Sequence, residues 1–168
     1  MTEQESELLN IYLQPGEFHL ARAPSLLRTV LGSCVGVTFW NERLGLGALC
    51  HGVLPVCPPG VQNTEGYRYV DFAIRNLIRQ MENLGALRSE VQVKVFGGAD
   101  VLPVHASKSR KKTVGYQNWH MAMEVLRIES LRVNASDVGG EAGRTIQFNT
   151  WTGEVLLRRL TKKEMSPW

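Results

Sequence analysis

Two apolar segments joined by a short polar connection constrain this chain more than any other feature. The first is Arg28-Thr-Val-Leu-Gly-Ser-Cys-Val-Gly-Val-Thr-Phe-Trp40, and the second is Leu44-Gly-Leu-Gly-Ala-Leu-Cys-His51. Val35, Val37, Phe39 and Trp40 read as a strand. The connection at residues 41–44 is polar and short enough for a hairpin. Cys34 enters its strand directly after Gly32 and Ser33, so its sulfur sits on a rigid element close to a loop. Paired as antiparallel neighbours, the two segments bring Cys34 and His51 to the same end of a sheet. Thiol chemistry needs that arrangement: a base to hold a proton, and a sulfur made nucleophilic by losing one.

The rest of the chain alternates between strand and helix periods. Residues 10–14 and 17–22 read as short strands around the Pro15-Gly16 turn, and residues 23–25 interrupt the second. Three prolines and two glycines from Pro55 to Gly66 leave a loop of irregular structure there, of a length that tends to be functional. Residues 69–84 form the clearest helix, with Val70, Ala73, Ile74, Leu77, Ile78, Met81 and Leu84 on one face and Gly85 as its stop. Residues 91–96 alternate strictly and form a strand that ends at Gly97-Gly98. A second helix runs from near Gln117 to Ile128, with Trp119, Ala122, Met123 and Leu126 inward. Strands follow at 131–138, 145–149 and 155–160. Two amphipathic helices covering a mostly antiparallel sheet define an α+β fold, a layered α/β/β sandwich.

A chain of 168 residues is long enough for one sizeable core. We expect a flexible segment at residues 1–9, a single domain at 10–160 and a tail at 161–168. Apolar residues at 43% and charged residues at 21% exclude global disorder. A net charge of +3 is too small to indicate nucleic acid. Three cysteines exclude a fully paired disulfide framework and favour a reducing compartment. The N-terminal Met-Thr-Glu-Gln-Glu-Ser-Glu7 is acidic where a secretory signal is basic. No apolar run approaches the roughly 20 residues of a membrane helix. These features lead us to expect a cytoplasmic monomer that does not insert into membranes.

Residue chemistry alone leaves Cys34 open between a nucleophile and a buried structural thiol, and His51 between a base and a core histidine. Cys50 and Cys57 read as strand packing and a loop thiol. Without a CxxC pair, and with His19, His105 and His120 scattered, no metal site is expected. The basic cluster Lys108, Arg110, Lys111, Lys112 carries no interleaved aromatic residue and reads as a solvated loop. Gly97-Gly98 and Gly139-Gly140 lack the Gly-Lys-Ser/Thr ending of a phosphate-cradling loop and read as turns.

Five motifs occur in an order that resembles the CheD family, the chemoreceptor glutamine deamidases of bacterial chemotaxis. They are Leu31-Gly-Ser-Cys-Val35, His51 with Leu54-Pro55, Arg68-Tyr-Val-Asp71, Lys94-Val-Phe-Gly-Gly-Ala99 and Asp137-Val-Gly-Gly-Glu-Ala-Gly-Arg144. The resemblance covers residues 12–160 and implies a cofactor-free enzyme that hydrolyses glutamine side-chain amides on methyl-accepting receptors. It also implies a layered sandwich related in site geometry to deamidating bacterial toxins. The family's cysteine falls on Cys34, its histidine on His51 and its threonine on Thr29, next to Arg28. The backbone N–H of Cys34, presented after Gly32-Ser33, is the candidate oxyanion donor. Relatives often carry a bulky aromatic residue where this chain has Gly52. The resemblance also implies a CheC-like phosphatase as a partner, so docking without catalysis is an alternative function. Hydrolysis of receptor glutamyl methyl esters is another, since a thiol that attacks an amide can attack an ester.

Overall fold

The computed structural model describes residues 8–22, 24–101 and 113–165. The basic cluster at 108–112, His105 and the first seven residues lie outside them. Among the described residues, nine strands form two sheets. The five-stranded sheet has the order β2 (Phe18–Ala21), β5 (Leu46–Gly52), β4 (Val35–Asn41), β6 (Gln92–Gly97), β7 (Val133–Val138). The four-stranded sheet has the order β1 (Leu9–Tyr12), β3 (Ser25–Leu31), β8 (Arg144–Asn149), β9 (Val155–Arg159). Most neighbours are antiparallel; β1 with β3 and β6 with β7 are parallel. The second parallel pair needs a crossover, which α2 (Val114–Ile128) supplies.

Side-chain alternation builds the layers. Val35, Val37 and Phe39 of β4, with Leu46, Ala48 and Cys50 of β5, face α1 (Val70–Asn83) and α2. Trp40 and Leu49 face the other way and pack with Leu13, Leu27, Leu31, Phe96, Ile146 and Phe148 between the sheets. Helices therefore cover one face of the five-stranded sheet, and the four-stranded sheet covers the other. This is the α/β/β sandwich anticipated from the sequence.

Three expectations need correction. Residues 25–31 form a separate strand, β3, paired to β8 in the opposite sheet. The apolar stretch around Cys34 therefore crosses from one sheet to the other at residues 32–34, a switch that hydropathy alone does not mark. α2 starts at Val114, where the Thr113 side chain accepts a hydrogen bond from the Tyr116 N–H at 3.3 Å. Its buried stripe is Gly115, Asn118, Ala122, Val125 and Leu126, while Trp119 and Met123 are only partly buried. Counting only large apolar residues missed a stripe that opens with a glycine and an amide. Finally, the loop after Pro55 ends in a 3-10 turn, Thr64–Arg68, capped by the Asn63 side chain. At the C-terminal end, Lys162–Met165 forms a short helix, α3.

Candidate active site

Cys34 lies in the bend between β3 and β4, and its half-buried side chain packs against the inter-sheet cluster. β4 and β5 pair antiparallel with Gly36 opposite His51. Cys34, two residues before Gly36, is on the same face as His51 and diagonal to it. Diagonal neighbours on such a pair have Cβ atoms roughly 7 Å apart, within reach of a sulfur and an imidazole.

Thr29 comes from the opposite sheet. In β3 the odd-numbered residues are the inward ones, so Thr29 is 1% exposed while Arg28 faces solvent. The Thr29 Oγ1 is 2.6 Å from His51 Nδ1 and also donates to the Leu13 carbonyl at 2.9 Å. A hydroxyl carries one proton, and a carbonyl can only accept. With that proton committed to Leu13, Nδ1–H must donate to Oγ1, which leaves the lone pair of neutral His51 on Nε2. That Nε2 is buried and has no hydrogen-bond partner, so in this geometry it is not bonded to the Cys34 thiol. A buried acceptor left unpaired costs about 1–3 kcal/mol, and such groups concentrate where chemistry uses them.

Burial sets both ionisation states. It pushes the Cys34 thiol above its ordinary value. It also lowers His51 from 6.5 to about 4, against a smaller opposing pull from Glu17. The resting pair is a neutral thiol and a neutral imidazole, poised for proton transfer during attack. Cys50 is fully buried and pushed up to about 12, so it stays a packing thiol. The Cys57 thiol contacts the Pro58 and Val61 carbonyls in the loop after β5.

The turn holding Cys34 is fixed by its carbonyls. That of Gly32 accepts from Ala99 N–H at 3.0 Å, that of Ser33 from Asn118 Nδ2 at 2.9 Å, and that of Cys34 from Gly98 N–H at 2.8 Å. Gly97 makes the last approach possible. Its φ is +102°, and a Cβ there would stand 2.3 Å from the Cys34 oxygen. Gly97-Gly98, read from the sequence as a turn, is thus also the backing of the cysteine loop. Asn118 was missed altogether. A polar residue on an apolar helical stripe was the available signal. Gly52 also has a packing reason: a Cβ there would lie 2.6 Å from Val70 Cγ2, at the start of α1.

The fold and site together define an α+β sandwich in which an imidazole and a hydroxyl meet across the space between two sheets, with a thiol packed against the same inter-sheet cluster. The family model described as CheD chemotactic sensory transduction matches residues 53–159, beginning just past His51. Relatives extend the match across the site. A Geobacter sulfurreducens protein named "Probable chemoreceptor glutamine deamidase CheD 2" is 43% identical, over 98% of each chain. Two proteins named "Probable chemoreceptor glutamine deamidase CheD" are also similar. The one from Trichlorobacter lovleyi is 37% identical over 95% of this chain and 96% of its own. The one from Maridesulfovibrio salexigens is 35% identical over 96% and 98%. The chain belongs to the CheD family.

Proposed function

We propose that this protein is a cysteine-dependent protein-glutamine deamidase that converts selected glutamines of methyl-accepting chemotaxis receptors to glutamate and releases ammonia. The observation that carries the reading is the Thr29–His51 contact, which leaves Nε2 unprotonated and unpaired on the face shared with Cys34.

In the first step His51 Nε2 takes the Cys34 proton as sulfur adds to the glutamine side-chain carbonyl. The oxyanion that forms is met by the Cys34 N–H, for which no acceptor occurs among the described residues. The imidazolium then gives its proton to the departing nitrogen. The C–N bond breaks, and ammonia leaves a thioester behind. Water, deprotonated by His51, attacks the thioester; the C–S bond breaks, and the products are a glutamate side chain and the restored thiol. Thr29 holds the imidazole in the required tautomer throughout, as a carboxylate or amide does in related triads.

The protein acts in the cytoplasm as a monomer, and no helix among the described residues is long and apolar enough to cross a membrane. Docking to a CheC-like phosphatase is a further role, supported by family membership alone. Alkylating Cys34 separates the two: turnover stops while docking persists. The direct test is ammonia release from a receptor cytoplasmic fragment. Wild type releases it and Cys34→Ala does not. A Cys34→Ala protein with full activity overturns the reading, and methanol release from methylated receptor without any ammonia replaces it with an esterase.

A further inference from the structure

Asn118 contributes a buried amide to a helix stripe that is otherwise apolar. Both protons of its Nδ2 are used. One goes to the Ser33 carbonyl at 2.9 Å and the other to the Val53 carbonyl at 2.9 Å. Ser33 precedes Cys34, and Val53 follows His51 by two residues, so one side chain brackets the thiol's turn and the end of the imidazole's strand. Its Oδ1 is buried and has no partner. Turning the amide over would set that oxygen against two carbonyl oxygens and lose both hydrogen bonds, so the orientation is fixed. A leucine at this position would fill the stripe but would strip the Ser33 and Val53 carbonyls of their donor. The amide serves both carbonyls at the cost of its own unpaired Oδ1, a cost natural sequences tend to carry at functional sites.

The Ser33–Cys34 peptide explains what that cost secures. None of the peptide bonds among the described residues is cis, and in a trans peptide the C=O and N–H point in opposite directions. Asn118 therefore fixes the Cys34 N–H by holding the Ser33 carbonyl on the other side of the same plane. The flanking carbonyls of Gly32 and Cys34 are held by Ala99 and Gly98. Asn118 supplies the middle restraint, and the only one of the three made by a side chain.

We propose that Asn118 is a positioning residue for the oxyanion donor, acting through the Ser33 carbonyl to aim the Cys34 N–H at the tetrahedral intermediate. The inference rests on Cys34 being the nucleophile. It is separable from that reading, because adding neutral iodoacetamide to the thiol needs Cys34 and its base but forms no oxyanion.

The test uses Asn118→Ala and the near-isosteric Asn118→Asp, which cannot donate when ionised. Three quantities are measured: kcat and KM on a receptor cytoplasmic fragment, the peptide-resolved alkylation rate of Cys34, and the urea midpoint. Misaligned oxyanion donors cost catalysis on the order of 10²-fold. The expected result is a kcat lowered by at least about 30-fold, with KM and alkylation within about two-fold of wild type. Wild-type kcat in either folded variant overturns the assignment. So does a fall in alkylation that matches the fall in kcat, or the failure of both variants to fold, since each makes Asn118 a scaffold residue. A Cys34→Ala protein that keeps its activity in the same assay sinks the underlying reading instead.

Discussion

Thr29 and His51 belong to different sheets, yet their side chains meet at 2.6 Å across the inter-sheet space. The contact ties the proton position on the imidazole to the packing of two layers. Any change that shifts one sheet against the other changes the tautomer and orientation of His51 together.

Replacing Thr29 with Val keeps the shape but removes the hydroxyl. The Leu13 carbonyl and His51 Nδ1 then lose their partner, at a cost of about 1–3 kcal/mol in stability. Deamidation should fall at least about 10-fold, because the imidazole loses the partner that fixes its tautomer and orientation. Thr29→Ser restores most of it. Equal kcat in wild type and Thr29→Val would show that another group orients the histidine.

The depressed His51 value has a consequence for stability. Its folded value of about 4 lies below the ordinary 6.5, so the unfolded chain binds the proton more readily. Its contribution is complete above pH 6.5, is lost as pH falls from 6.5 toward 4, and does not change further below that. The span is worth about 3 kcal/mol at most. Urea midpoints of wild type should drop across this window more steeply than those of His51→Gln. Parallel profiles would contradict the burial argument.

The thiol gives a second pH signature. Because burial raises Cys34 and no imidazolium accompanies it near neutrality, its alkylation by iodoacetamide should keep rising beyond pH 9. A plateau between pH 5 and 8 would reveal a preformed thiolate–imidazolium pair.

Gly97→Ala should damage the site through the backbone of the cysteine turn. The residue's φ of +102° disfavours a side chain, and the new Cβ would collide with the Cys34 carbonyl. We expect a loss of about 2 kcal/mol or more and a kcat reduced by more than the stability loss explains. Retention of both would mean that the cysteine turn is less tightly backed than its hydrogen bonds indicate.

The clearest features of the sequence were those whose physics is local. The α1 stripe from Val70 to Met81 and the alternation in β6 repeat at the period of one element, and both elements lie where those periods put them. The hairpin of β4 and β5 was legible because its connection is short and polar, and with it the shared face of Cys34 and His51. The boundary between β3 and β4 was not, because both flanks are apolar and only the long-range pairing of β3 with β8 separates them. That pairing also decides which of Arg28 and Thr29 faces His51. Asn118 escaped for a related reason: its partners, Ser33 and Val53, are 85 and 65 residues away, and no local pattern records such a contact.

The most direct measurement of the central claim is the mass of a receptor cytoplasmic fragment incubated with wild type and with Cys34→Ala, resolved peptide by peptide. Exchange of an amide nitrogen for oxygen adds about one dalton at each modified glutamine. The account predicts that gain at specific glutamines with wild type and none with the variant. The same gain with Cys34→Ala, or none with wild type, would contradict it.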